Sequence, residues 1–123
     1  MANPTSIPLD TRQLQAEDSE SAPICVMTFN ANDPSGAAGL TADITAITSA
    51  GGHPLAVVTG AYVRDTSEIL SHVAFDEEAV TEQARMALED MPAGAIKIGF
   101  LGSPENISAI AEIASDYADV PLI

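Results

Sequence analysis

The chain has 123 residues, enough for one domain around one core. Its 18 acidic residues stand against four basic ones (Arg12, Arg64, Arg85 and Lys97), a formal net charge of −14. Such a surface repels phosphate backbones and anionic headgroups, which excludes nucleic-acid binding through a basic patch and disfavours a membrane partner.

An apolar fraction of 46% is ordinary for a globular protein and argues against disorder throughout. The single cysteine, Cys25, allows no internal disulfide and fits a reducing compartment. No apolar run approaches the roughly 20 residues of a membrane span, and the first residues lack the basic and apolar regions of a secretion signal. The expected location is the cytoplasm.

In chain order, residues 1–22 are polar, contain two prolines and end near the acidic run "AEDSES", so they read as a flexible acidic tail. Order is expected from residue 23. "PICVMTF" is the short continuous apolar run of a strand buried on both faces. A loop rich in Asn, Asp, Pro, Ser and Gly follows. The spacing then predicts a helix from Gly36 to Ala50, with Leu40, Ile44 and Ile47 on one face and Gly51-Gly52 as its stop.

Pro54 to Val63 reads as a second strand, and Glu68 to Phe75 as a shorter one with weak alternation, suited to an edge. Asp76 is placed to cap a helix with Glu77 and Glu78 in its first turn, where the helix dipole favours anions. The predicted inner face of that helix is Val80, Ala84, Ala87 and Met91. A further strand is predicted over Ala95 to Leu101. Ser103-Pro104 then opens a helix with Ile107, Ile110, Ala111, Ala114 and Tyr117 as its stripe, and "VPLI" resembles another strand beginning. Strands alternating with crossover helices predict an α/β fold with a mostly parallel sheet and helices on both faces. A last buried strand without a following helix reads as a domain cut after its fourth or fifth strand.

Ligands of open α/β sheets bind outside the carboxyl ends of the strands, so three loops matter: Asn30 to Gly39, Gly60 to Thr66 and Gly99 to Ser103. The first has glycines that admit close backbone approach, but it is neither a Walker loop nor GxGxxG, and Asp33 would repel a triphosphate. Turn and cap chemistry explains it as well as ligand binding does. Asp43 lies about 60° from Leu40 and about 40° from Ile47 on the helix wheel, on the margin of the buried stripe. A carboxylate there needs a partner, either structural or a ligand amine, and the chain has few cations to offer. Arg64 is placed to contact a ligand or to pair with Asp65 or Asp43. Lys97, inside a strand pattern, sits at an edge or is held by a carboxylate. Neither His53 nor His72 has companions at ligand spacing, so no metal site is expected.

Three segments, "NANDPSGAAGLTADIT", "TSAGGHPLAVVTGAYVRDT" and "KIGFLGS", come in the order and spacing of the hydroxymethylpyrimidine/phosphomethylpyrimidine kinase family of thiamine biosynthesis, within the ribokinase-like superfamily. The chain resembles that family from about Ile24 to its last residue. The resemblance implies a ribokinase-like (Rossmann-like) fold and ATP-dependent phosphorylation of 4-amino-5-hydroxymethyl-2-methylpyrimidine and its monophosphate. It implies that Asp43 meets the aminopyrimidine edge, that Ala38 and the backbone around Ala31 line the pocket, and that Phe100 packs on the ring. Three positions depart from the family pattern: Ala31 replaces a glycine, Arg64 a glutamine and Phe100 a methionine, which leaves the exact substrate open. ATP and Mg²⁺ are expected for the family. Its Gly-rich anion hole and catalytic Asp lie in a C-terminal half without counterpart here, so residues 23–123 read as the substrate-side part of the kinase domain, inactive alone. A pyridoxal-type kinase and a non-catalytic pyrimidine-binding module are the alternative readings, and a homodimer is left open.

Overall fold

The structure is a computed structural model that describes residues 22–123; the tail expected over residues 1–22 lies outside the described residues except for Ala22. Seven elements follow one another: β1 (Cys25–Asn32), α1 (Gly39–Ser49), β2 (His53–Arg64), β3 (Ile69–Ala74), α2 (Glu77–Asp90), β4 (Ala93–Ile98) and α3 (Pro104–Asp116). The sheet order is β3-β2-β1-β4. β1 is central and parallel to both β2 and β4, while β3 pairs antiparallel with β2 and stands at the edge. The α/β architecture and the edge position of β3 agree with the sequence reading. The terminal "VPLI" runs parallel to β4 through a bridge between Ile96 and Leu122, with Ile123 donating to Ile96 O and accepting from Ile98 N–H.

Alternation along β1 divides its side chains between two faces. Met27 and Phe29 join Leu55, Val57 and Ile96 against Val80, Ala84 and Leu88 of α2 and Ile110 and Ile113 of α3, forming one core. Thr28 and Asn30 point to the opposite face, which α1 covers. Right-handed crossovers explain the division, because β1→β2 and β2→β4 step in opposite directions across the sheet and their helices land on opposite sides.

Caps fall where the sequence put them. Asp76 accepts from Ala79 N–H at 2.8 Å, and Ser103 accepts from Asn106 N–H at 3.1 Å, one residue before Pro104 opens α3. Several boundaries and faces differ. α1 begins at Gly39 rather than Gly36, since Gly36 and Gly39 hold positive φ of 78° and 64° and keep the chain out of a right-handed helix until that point. β2 bears out the strand expected over Pro54 to Val63 and runs one residue further at each end, so the loop beyond it begins at Asp65 rather than Gly60; a Cβ at Gly60 would strike the Val73 carbonyl, so the glycine lets β3 close on β2. β4 ends at Ile98, leaving Gly99 to Leu101 in the loop. The inner face of α3 is Asn106, Ile110 and Ile113, and Ile107 is 56% exposed. On α1, Ile44 also faces outward.

Candidate functional site

Because β1, β2 and β4 are parallel, their carboxyl ends reach the same side of the sheet, and contacts join the loops beyond them. Arg64 Nη1 at the end of β2 lies 3.4 Å from Asp33 Oδ2 in the first loop. Phe100, after β4, donates its N–H to Asn30 Oδ1 at 3.1 Å. The rings of Tyr62 and Phe100 stand 5.2 Å apart, and His72 meets Phe100 edge-on at 4.9 Å. Thr59 Oγ1 donates to Phe100 O at 2.7 Å and ties the same loop to β2.

The first loop is organised from within. Asp33 is buried, and its Oδ1 accepts from Ser35 N–H and Ser35 Oγ at 2.8 and 2.7 Å while Oδ2 accepts from Ala38 N–H at 2.7 Å. Burial works to raise the Asp33 pKa, but the bonds from Ser35 and Ala38 and the nearby Arg64 charge outweigh it and hold the carboxyl below its ordinary value. Asp33 thus occupies the N–H groups of Ser35 and Ala38 and places a negative charge at the start of α1. Turn chemistry around Asp33 accounts for the loop, α1 itself starts without a side-chain cap, and the Asp33 charge does not fit a nucleotide triphosphate. Gly39 completes the turn, since a Cβ there would meet the Ala31 carbonyl.

Asp43 sits in a second polar cluster, on the α1 face. Its Oδ2 accepts from Thr28 Oγ1 at 2.6 Å and from Asn30 Nδ2 at 2.9 Å, and its Oδ1 pairs with Lys97 Nζ at 2.6 Å. The scarcity of partners expected for this carboxylate is corrected: the chain supplies three, so no ligand amine is needed to satisfy it. Burial raises the Asp43 pKa, and the bonds from Asn30, Lys97 and Thr28 more than reverse that, leaving it below the ordinary carboxyl value. Lys97 is held by a carboxylate, one of its two expected fates. Arg64, expected to pair with Asp65 or Asp43 if not a ligand, instead pairs with Asp33 and donates from Nε to the Asp65 carbonyl at 2.9 Å.

Ala31 is 1% exposed, backbone and side chain alike, and the chain surfaces at Asn32 beside it, while Ala38 and Phe100 are half-buried. Phe100 also forms part of an open depression of about 430 Å³ with Leu101, Pro104 and Ile107. A larger cleft, about 670 Å³ and lined by Ile24, Val26, Ile47 and Ala95, lies toward the amino ends of the strands, away from these loops. Three site residues escaped the sequence reading: Asn30, Tyr62 and His72. The aromatic pair could have been found from strand alternation, since Tyr62 lies two residues before Arg64 on the same side of β2; Asn30 carried no such signal.

Residues 33–123 match the family described as phosphomethylpyrimidine kinase. The chain belongs to the phosphomethylpyrimidine kinase family. It is 29% identical over 101 residues to the hydroxymethylpyrimidine/phosphomethylpyrimidine kinase of Streptomyces coelicolor, covering 82% of this chain and 37% of that protein. With the thiamine biosynthesis multifunctional protein ThiED of Corynebacterium glutamicum the identity is 29% over 121 residues, covering 97% and 16%. Among solved structures, the phosphomethylpyrimidine kinase of Clostridium difficile superposes with a TM-score of 0.74 at 30% identity, covering 80% of this chain and 43% of that one. The pyridoxal kinase of Staphylococcus aureus, solved with AMP-PCP and pyridoxal, gives 0.67 at 27% identity, covering 77% and 35%. The chain spans between about a sixth and under a half of the length of these relatives. The fold is therefore ribokinase-like, as the family's is. Among the described residues, no helix is long and apolar enough to cross a membrane, and no cluster of three His, Cys, Asp or Glu is placed to hold a metal ion.

Proposed function

We propose that this chain is the substrate-side part of a cytoplasmic kinase that phosphorylates 4-amino-5-hydroxymethyl-2-methylpyrimidine and its monophosphate with ATP. The observation that carries the reading is the convergence of three strand ends in a member of this family: Arg64 after β2 reaches Asp33 in the loop after β1, and Phe100 after β4 is bonded to Asn30 at the end of β1. A flat heterocycle suits that convergence, with Phe100 offering an aromatic side chain and the small residues around Ala31 a close approach to backbone. Asp43 acts from beneath, through its bonds, rather than as an empty carboxylate awaiting an amine. ATP and Mg²⁺ are held by residues outside this chain, since the Asp33 charge at the first loop repels a triphosphate. Catalysis of phosphoryl transfer rests on held phosphates and their metal, so the 123-residue chain binds substrate and transfers nothing.

Calorimetric titration of the purified chain tests this directly. Binding of the aminopyrimidine without turnover in the presence of ATP and Mg²⁺ is expected; ATP-dependent product, or no binding, sinks the proposal. A pyridoxal-type kinase is the second reading, favoured by the Tyr62–Phe100–His72 ring cluster, and tighter binding of pyridoxal than of the aminopyrimidine in the same titration selects it.

A further inference from the structure

Between Asn30 and Ala31 the pairing of β1 with β2 skips a residue: Asn30 stands opposite Val58, and Ala31 opposite Gly60. On the other flank β4 has ended, and Gly99 N–H makes the last main-chain bond, to Phe29 O at 2.8 Å. At this break one side-chain atom ties the end of β1 to the loop that follows β4. Asn30 Oδ1 accepts from Ala31 N–H at 2.9 Å and from Phe100 N–H at 3.1 Å. The carboxamide is buried against Gly99, where any Cβ would run into it.

A carboxamide has a donor end and an acceptor end, and only one orientation works here. Asp43 sets it. Its ionised Oδ2 can only accept, so it takes Nδ2 and leaves Oδ1 facing the two N–H groups. Thr28 and Lys97 hold that carboxylate in place. The sequence of contacts runs from Lys97 to Asp43 to Asn30, then to the backbone at Ala31 and Phe100.

We infer that Asn30 is a positioning residue for the substrate pocket, fixing the backbone of Ala31 relative to that of Phe100, and that Asp43 acts on the pocket through it. The inference rests on the reading that Ala31 and Phe100 border the substrate. It explains why a carboxylate satisfied by its own chain sits so close to the site, and it gives a role to a buried polar residue.

The test exchanges the two side-chain types. Asn30→Asp sets one carboxylate against another and removes the donor. Asn30→Asp combined with Asp43→Asn restores the bond between the two side chains with roles reversed: the new amide donates, the new carboxylate still accepts from Ala31 and Phe100, Thr28 turns from donor to acceptor, and Lys97 keeps an oxygen partner but a neutral one. Amide hydrogen exchange is read by NMR on the ligand-free 123-residue chain, and aminopyrimidine affinity by calorimetry. The single variant is expected to lose protection at the Ala31 and Phe100 amides and to weaken affinity about tenfold or more, the equivalent of one well-placed bond. The double variant is expected to regain both to within about threefold, a coupling that independent sites would not show. Unchanged protection and affinity in the single variant, or a double variant that fails to fold or behaves no better than the single one, overturns the inference. A wild-type chain that binds no aminopyrimidine overturns the functional reading instead, and the exchange pattern at the two amides then decides the positioning role by itself.

Discussion

The two faces of the sheet are built on different principles. Facing α2 and α3, Met27, Phe29, Val57, Val80, Ile96 and Ile113 pack without a charged group among them, and their contribution scales with the apolar area removed from water. Facing α1, the same strands present Thr28, Asn30 and Lys97 to Asp43, and what holds there is direction: which atom donates and which accepts. β1 carries both patterns in alternate positions. The dry face secures the fold, and the polar face aims the loops at its end. A mutation should therefore reveal its face by whether it moves stability or affinity.

The largest effect is expected from Phe29→Ala, which empties the centre of the dry face. A cost of about 3–5 kcal/mol is expected, a large part of the roughly 5–15 kcal/mol available to a domain. Urea denaturation reads it, and whatever fraction remains folded should bind aminopyrimidine as the parent does. Next comes Asp43→Ala on the polar face. It leaves Lys97 and Asn30 without their acceptor and should cost about 1–3 kcal/mol in stability while weakening aminopyrimidine affinity by about tenfold. Equal affinity in that variant would erase the contrast between the faces.

Acid separates the faces in another way. Asp33 and Asp43 both titrate below the ordinary carboxyl value of 3.8, so the folded chain binds fewer protons than the unfolded chain as that value is approached from above. Their contribution is complete above the unfolded value and is lost as pH falls through it toward the lower folded ones. Melting temperature measured from about pH 5 down to about pH 2 should fall, and Asp33→Asn should flatten part of that fall. The smallest effect belongs to Arg85→Ala. Its partner Asp116 lies at 2.7 Å but half exposed, and such a pair between α2 and α3 should change stability by no more than about 0.5–1 kcal/mol.

Most of the dry face was legible in the sequence because apolar periodicity reports burial directly. The α3 stripe was misplaced for an informative reason. Asn106 belongs to it: its Nδ2 donates to the carbonyls of Phe75 and Leu101 while its buried Oδ1 has no protein partner, so a polar residue stands where an apolar one completes the pattern. Ile107 took its place in the reading and proves to face solvent. The loops of the site were legible from glycine and strand ends, and Lys97 from its awkward place in a strand. Asn30 was not, because its role depends on a register break beside it and on an N–H seventy residues further along the chain. Local pattern carries no record of either. The same limit explains Arg64: its pairing with Asp33 arises only when two strand ends are brought side by side.

The central position of β1 also sets an order of assembly. Cys25 pairs with His53 across α1, but with Ala93 only after β2, β3 and α2 have intervened. Closing the longer loop costs more entropy, so the β1–α1–β2 unit is favoured to form first and the β4 pairing later. The bond from Phe100 to Asn30 needs that second pairing. During refolding, the pocket border should appear among the last features, after most of the secondary structure is in place.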